Sequence, residues 1–179
     1  MKLSHIFIAT LLIVLQATSC AQDSSRPHCT DSLFDKAVSM SLSFSVPVIS
    51  SAQLKTMLDK QGDSLLLLDT REWAEYQVSH IEGATHAGYD HFEAATMAQV
   101  DKNTPIVVYC SIGYRSEKIG ERLIDMGYTE VYNLYGSLFE WANTGNPVVD
   151  STGQPTQNIH TYDKLWSRWV QNPAYKKIW

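Results

Sequence analysis

The 179-residue chain has few basic residues, no internal repeat and no apolar run long enough to span a membrane. Its 14 Lys and Arg residues are scattered among 19 Asp and Glu residues, with no basic stretch interleaved with aromatics. This pattern excludes a nucleic-acid-binding surface. The apolar stretch from Ile6 to Leu15 is about half the length that a transmembrane helix needs. His80 and His86 lack a third ligand at a suitable spacing, so no metal site is predicted.

The first 19 residues have the organisation of a bacterial signal peptide. Lys2 precedes the apolar stretch, and Ala17, Thr18 and Ser19 stand directly before Cys20. This junction resembles a lipobox, the processing site of bacterial lipoproteins. Cys20 is therefore predicted to carry lipid, which would anchor the exported protein to a membrane of the cell envelope, facing the periplasm. Because Ala17 occupies a position where leucine is usual, cleavage by ordinary signal peptidase is the alternative.

A cysteine follows an apolar strand pattern in the second half of the chain. The run Ile106 to Tyr109 predicts a strand buried on both faces, and the segment from Ser116 onwards predicts a helix. Cys110 then lies at a helix N-terminus, where free N–H groups favour an anion. Gly113 lets the backbone wrap around a bound group, and Arg115 adds positive charge. Cys110 is therefore predicted to be a nucleophilic thiolate rather than a small structural residue of the core.

The segment from Cys110 to Ser116 resembles the Cys-x-x-Gly-x-Arg-Ser loop of the rhodanese family. Upstream, Asp69 and Arg71 are similar to the family's Asp-x-Arg at a strand end, and residues 80–84 to its His-Ile-x-Gly-Ala segment. Downstream, residues 123–141 are similar to the family's last strand and closing helix. Four motifs in the family's order make the resemblance specific.

The resemblance covers roughly residues 46–150 and implies an α/β fold with a central, mostly parallel sheet covered by helices on both faces. Alternating strand and helix patterns indicate the same arrangement. Residues 20–45 are predicted to be a tether or a partly ordered lead-in. Residues 151–179 are predicted to form an appendage whose Trp-rich helix docks on the domain, with binding to a partner or a membrane surface as the alternative. The apolar positions of that helix are Ile159, Leu165, Trp166, Trp169 and Val170.

The resemblance implies a sulfurtransferase that needs no metal and no cofactor. Cys110 would take a sulfane sulfur from thiosulfate or a persulfide, hold it as a persulfide, and pass it to cyanide or to a thiol, which can be that of a protein. Asp69 and Arg71 are expected to support the active loop, although a weak surface ion pair is the alternative. The expected substrate-binding residues are Ser111, Ile112, Gly113, Tyr114, Arg115 and Ser116.

Two other functions stay open at this point. Relatives of the same fold use cysteine as a phosphatase or an arsenate reductase, but their loops carry one residue more between cysteine and arginine than the four between Cys110 and Arg115. A membrane-tethered module that only binds a partner is the other alternative, although inactive modules commonly lose the cysteine. Ser111 stands where several thiosulfate-using members carry a basic side chain, which counts against efficient use of thiosulfate.

The sequence also allows predictions for Cys29 and for the Gly136-Ser137 pair. Cys29 is either a thiol without a partner or a resolving cysteine that forms a disulfide with Cys110 or accepts its sulfur. Gly136-Ser137 replaces the family's Gly-Gly, and we expect this change to alter packing without touching the chemistry.

Overall fold

A five-stranded parallel sheet forms the centre of the computed structural model, which describes residues 26–179. The strands follow the order β1-β5-β4-β2-β3 across the sheet, and every neighbouring pair is parallel. Their bounds are Val48–Ile49 for β1, Leu66–Asp69 for β2, Thr85–His86 for β3, Ile106–Tyr109 for β4 and Val131–Leu134 for β5. The predicted parallel sheet is therefore confirmed.

Five α-helices lie within residues 26–179, and four of them cover the two faces of this sheet. Their bounds are Ser32–Ser41 for α1, Ser51–Gln61 for α2, Trp73–Val78 for α3, Tyr114–Asp125 for α4 and Ser137–Asn143 for α5. Side chains alternate along the strands, so Val107 of β4 packs in the same layer as α1, α2 and α5, whereas Val108 packs with α4. Helices on both faces match the predicted architecture and leave the carboxyl ends of the strands open, where ligands bind in such sheets.

Local sequence signals explain where these elements begin and end. The hydroxyl of Ser50 accepts the Gln53 N–H at 3.2 Å, and the Gln53 side chain accepts the Ser50 N–H at 2.8 Å, which fixes the start of α2. All four residues of β4 are buried, as its continuous apolar run predicts. The chain therefore enters the loop after Tyr109 from a rigid strand.

The described part of the predicted lead-in is packed on the domain rather than loosely tethered to it. Phe34 and Val38, four residues apart on one side of α1, are fully buried in the core. The side chain of Asp31 caps α1 by accepting the Phe34 N–H at 2.7 Å. The carboxylate of Glu117 in α4 accepts the Ser43 N–H at 2.9 Å. The apolar spacing of α1 therefore makes this part of the predicted lead-in an ordered segment that packs on the core.

The C-terminal segment does not form the predicted Trp-rich helix. Strands β6 (Val148–Val149) and β7 (Pro155–Thr156) form an antiparallel pair, and β8 (Asn158–His160) and β9 (Lys176–Ile178) form a parallel one. Only a 3₁₀ turn, Trp166–Trp169, lies between β8 and β9.

Separate anchors explain this irregular path. Ile159 and Val170 are each fully buried, so the core holds the segment at two points. The side chain of Asn143 binds the backbone beyond the 3₁₀ turn, donating to Trp169 O at 2.8 Å and accepting the Gln171 N–H at 2.7 Å. Trp169 also stacks on Phe34, with ring centroids 5.5 Å apart. These contacts hold the backbone in a conformation that an α-helix cannot adopt.

Within residues 26–179, no helix has the length and apolar character needed to cross a membrane. The predicted lipid-bearing residue, Cys20, and the signal peptide before it lie outside the described residues.

Candidate active site

Cys110 lies between β4 and α4, as the sequence predicts. Its Sγ accepts the Gly113 N–H at 3.1 Å. Its own N–H donates to the Ser137 hydroxyl at 3.1 Å, and its carbonyl accepts the Leu138 N–H at 3.1 Å. The thiol is only 2% exposed and forms part of the wall of a cavity. The backbone around Cys110 is therefore fixed from both sides, with the sulfur directed at the start of α4.

Gly113 gives the loop the shape that places an N–H on the sulfur. Its φ of +122° belongs to a region that L side chains rarely adopt, and a Cβ there would stand 3.3 Å from the Leu42 side chain. The side chain of Asn133 in β5 donates to the Gly113 carbonyl at 3.0 Å. The Ser116 hydroxyl lies 2.7 Å from Asn133 Oδ1 and 3.1 Å from the Gly113 carbonyl, so its single proton is held within the loop.

Positive charge and backbone donors favour the Cys110 thiolate. Burial raises the pKa of this thiol, but the charge of Arg115 and the N–H groups of Ser116 and Gly113 outweigh it and bring the pKa below its usual value. A larger fraction of the sulfur is then ionised near neutral pH than in a free cysteine. Since the thiolate is the reactive form, the environment supports a nucleophile.

Arg115 is bound to a carboxylate. Its Nη1 and Nη2 donate to the two oxygens of Glu75 at 2.8 and 3.0 Å, and the side chains are only 17% and 3% exposed. The Ser111 hydroxyl joins the pair, lying 3.2 Å from both Glu75 Oε1 and Arg115 Nη2. Burial raises the pKa of Glu75, but its hydrogen bonds and proximity to Arg115 more than offset this, so the pKa is lowered.

Asp69 and Arg71 form a fully buried pair, so the alternative of a surface ion pair is wrong. Arg71 Nη2 lies 2.6 Å from Asp69 Oδ2. The same nitrogen donates to the Ser79 carbonyl. Neither side chain lines the cavity. The pair joins the end of β2 to Ser79, directly after α3. Because Glu75 lies in α3 and binds Arg115, this location is compatible with indirect support of the loop.

A cavity of about 630 Å³ opens above Cys110. Four of the six predicted substrate-binding residues line it: Ser111, Ile112, Tyr114 and Arg115. Gly113 and Ser116 do not. Gly113 contacts Cys110 Sγ through its N–H. The Ser116 side chain is fully buried between the Gly113 carbonyl and Asn133. Both residues are placed to act on a bound anion through their backbone N–H groups rather than through their side chains.

Three residues of the site were not predicted to belong to it. Glu75 binds Arg115, Asn133 holds the Gly113 carbonyl, and the hydroxyl of Ser137 accepts the N–H of Cys110. The expectation for Gly136-Ser137 named packing only, and the structure adds this hydrogen bond to the backbone of Cys110. The sequence contains a signal for Glu75, which lies four residues after Arg71 of the Asp-x-Arg segment. Asn133 and Ser137 are brought to the loop only by the sheet order.

Cys29, His80 and His86 do not line the cavity above Cys110. Cys29 is buried and forms no disulfide. Burial and the nearby Glu140 carboxylate raise the pKa of its thiol far above the usual range. His80 and His86 each bind a backbone carbonyl, of Tyr76 and Arg71 respectively. Across the described part of the chain, no group of three His, Cys, Asp or Glu residues is arranged to hold a metal ion.

A family model, Rhodanese-like domain, matches residues 50–144, which contain every element from α2 to α5. The chain belongs to the rhodanese-like domain family. In this rhodanese-like domain the match includes the cysteine loop, Glu75 and Asn133. It excludes α1 and the segment after α5, which both contact the domain.

The relatives of this rhodanese-like protein include larger proteins. The tRNA uridine(34) hydroxylases of Photorhabdus laumondii and Yersinia pestis are each 33% identical over 99 residues, which cover 52% of this chain. The matched part of this chain spans 28% and 27% of their lengths, which is less than a third of each of these relatives. The similarity is therefore confined to a shared part of those proteins.

Solved structures show the same fold. A protein from Bacillus halodurans has a TM-score of 0.54 at 19% identity, covering 59% of this chain and 78% of that one. A rhodanese-like domain protein from Staphylococcus aureus has a TM-score of 0.51 at 23% identity, covering 59% and 98%. A thiosulfate sulfurtransferase from Pseudomonas aeruginosa has a TM-score of 0.53 at 22% identity, covering 70% and 23%.

Proposed function

We propose that the protein is a sulfurtransferase with Cys110 as its nucleophile. The Cys110 thiolate attacks the outer sulfur of thiosulfate or a persulfide, and a bond forms between Sγ and that sulfur. The S–S bond of the donor breaks, and sulfite or a thiolate leaves with the electron pair. An acceptor thiol, as thiolate, or cyanide then attacks the outer sulfur and releases the Cys110 thiolate. The net reaction moves one sulfur atom and needs no further reactant.

The observation that carries this proposal is the Gly113 N–H, 3.1 Å from Sγ, on a thiol whose pKa is lowered. A persulfide adds one sulfur beyond Sγ and keeps a negative charge, which the N–H groups at the start of α4 would stabilise. Arg115 contributes positive charge beside the same sulfur. The loop thus favours both the attacking thiolate and the anion that follows.

Phosphatase or arsenate reductase chemistry has less support. An arginine binds a tetrahedral oxyanion best through a bidentate pair of bonds, but the two terminal nitrogens of Arg115 already form such a pair with the Glu75 carboxylate. The loop also encloses one residue fewer than those of such enzymes. A module that only binds a partner would not need the donors that surround Cys110.

Steady-state transfer of sulfur to cyanide, measured as thiocyanate, tests the proposal. Cys110→Ser should abolish transfer with thiosulfate and with an organic persulfide as donor, while Cys29→Ser, which removes the other described cysteine, should retain it. Aryl phosphate hydrolysis and its inhibition by vanadate are measured in parallel. If the protein hydrolyses aryl phosphate and transfers sulfur from neither donor, the sulfurtransferase proposal is wrong and the phosphatase alternative takes its place.

We propose further that the protein is exported and anchored to a membrane by lipid on Cys20. The support is the Ala-Thr-Ser-Cys junction after a ten-residue apolar stretch. In bacterial cells the wild type should fractionate with membranes and need detergent for release, whereas Cys20→Ala should not carry lipid. A wild type that is wholly soluble, with an N-terminus other than Cys20, would contradict this proposal.

A further inference from the structure

The cavity above Cys110 is completed by two segments that lie outside the family match. Met40 of α1 lies on one wall, and Tyr162 and Trp166 of the C-terminal segment on another. Residues 50–144 alone therefore do not form the whole site. Because the two added walls are apolar and aromatic, they change what the cavity can bind without changing the cysteine loop.

The C-terminal wall is held in place by hydrogen bonds. Tyr162 adopts a left-handed backbone conformation with a φ of +68°, and its N–H donates to His160 Nδ1 at 3.1 Å. Its neighbour Thr161 donates its N–H to Ile178 O in β9 at 2.7 Å. The Trp166 N–H donates to Asp163 Oδ1 at 2.9 Å. A non-glycine residue keeps such a φ only where the surroundings impose it, so the backbone that carries this wall has a defined position, while the Tyr162 side chain is exposed.

The charges of the cavity disfavour an inorganic dianion. Among the residues of the described chain that line the cavity, Arg115 is the one cation. The charge of Arg115 is paired with that of Glu75. Glu72 and Asp90 also line the cavity, and neither has an ion-pair partner among residues 26–179. Two carboxylates at the entrance repel thiosulfate, while they attract a cation.

The size of the cavity favours an organic ligand. Its volume of about 630 Å³ falls within the range of roughly 300–1,000 Å³ that is typical of sites for drug-sized molecules. The ring of Tyr162 lies over the Arg115 guanidinium, 5.6 Å from ring centroid to Cζ. A five-atom anion would leave most of these aromatic walls in contact with water.

Resting on the proposed sulfurtransferase activity, we infer that the donor is the persulfide of a small organic thiol with an uncharged or cationic, apolar body, which Tyr162 and Trp166 select. The Cys110 thiolate attacks the outer sulfur of R–S–SH. A Cys110–S–SH group forms, the S–S bond of the donor breaks, and R–S⁻ leaves with the electron pair and takes up a proton. Tyr162 and Trp166 act as specificity residues that contact the organic group.

Rates of Cys110 persulfidation with four donors test this inference: thiosulfate and the persulfides of benzyl mercaptan, cysteamine and mercaptoacetate. The benzyl and cysteamine persulfides should react at least about ten-fold faster than mercaptoacetate persulfide and thiosulfate. Sulfur transfer from thiosulfate at an equal or higher rate than from the organic donors would overturn the inference and leave the sulfurtransferase proposal standing. Uptake from none of the four donors would overturn both.

A double variant and a matched control test the C-terminal wall. The double variant of Tyr162→Ala and Trp166→Ala should lose about ten-fold in rate with benzyl persulfide and change less than about two-fold with thiosulfate. Trp179→Ala, an exposed tryptophan of the same segment that does not line the cavity, is the matched control. Equal losses with both donors would assign the two rings a structural role and overturn the inference.

The acidic entrance provides a test that does not depend on the stability of the C-terminal segment. The double variant of Glu72→Gln and Asp90→Asn should use thiosulfate several-fold faster at low ionic strength, with the gain shrinking as salt is added. Its rate with benzyl persulfide, which reacts as the neutral R–S–SH form, should change by a smaller factor than its rate with thiosulfate. No gain with thiosulfate at any salt concentration would contradict the assigned role of the entrance charges.

Discussion

Replacing Glu75 by glutamine tests the central electrostatic feature of the site. The change keeps the size of the side chain but removes the charge that Arg115 binds through contacts of 2.8 and 3.0 Å. Exposed ion pairs contribute about 0–1 kcal/mol to stability, and breaking a buried pair costs about 3–5 kcal/mol. With exposures of 17% and 3%, this pair lies between these cases, so we expect a loss of about 2 kcal/mol.

The size of this loss can be measured by thermal and urea denaturation. For a chain of this size, about 2 kcal/mol corresponds to a fall in Tm of roughly 4–8 °C. Glu121→Gln is the matched control, because Glu121 pairs with Lys118 at 2.7 Å but the two side chains are 32% and 33% exposed. The control should stay within about 0.5 kcal/mol of the wild type. Equal stabilities of the two variants would show that the buried Glu75–Arg115 pair contributes no more to stability than the exposed Glu121–Lys118 pair.

The pH dependence of this difference provides a second test. The folded-state pKa of Glu75 is lowered, so its contribution to stability is present above the unfolded-state pKa and is lost as pH falls through the folded one. The gap between the wild type and Glu75→Gln should therefore close in acid. The variant should also use thiosulfate faster, since Arg115 is no longer neutralised. A gap that persists in acid, or slower use of thiosulfate by a folded variant, would contradict the account.

Substitutions at two further positions address the loop itself. Ser137→Ala leaves the buried Cys110 N–H without an acceptor and should cost about 1–3 kcal/mol, measured by urea denaturation. Ser137→Gly should cost less, because its φ of +50° is unfavourable by about 1–2 kcal/mol for a non-glycine residue; the reverse order would contradict this view of Ser137. Arg115→Ala should raise the pH midpoint of iodoacetamide alkylation of Cys110, which in the wild type lies below that of free cysteine; an unchanged midpoint would show that Arg115 does not stabilise the thiolate.

The strand and the loop that carry Cys110 could be predicted because their signals are local. The apolar run of Ile106 to Tyr109 forms β4 with the predicted bounds, and Cys110 follows it directly. Ser50 caps α2, as a serine before an apolar helical stripe indicates. Each of these features depends on residues close together in the chain, so the sequence pattern specifies them.

The partners of the loop could not be predicted with the same certainty because they come from distant parts of the chain. Glu75 lies 40 positions before Arg115, and Ser137 lies 27 positions after Cys110. Their meeting depends on the strand order, which places β4 between β2 and β5. The C-terminal segment shows the same limit, since spaced apolar residues fit a helix, whereas separate anchoring of Ile159 and Val170 decides the observed path.

Intact-protein mass spectrometry with peptide mapping shows whether Cys110 carries the transferred sulfur. The protein, freed of reductant, is incubated with thiosulfate or with benzyl persulfide and analysed without further reduction. We expect the addition of one sulfur atom on Cys110, faster from the organic donor, and no addition in Cys110→Ser. An unchanged mass with both donors, or sulfur added to Cys29 and not to Cys110, would contradict this expectation.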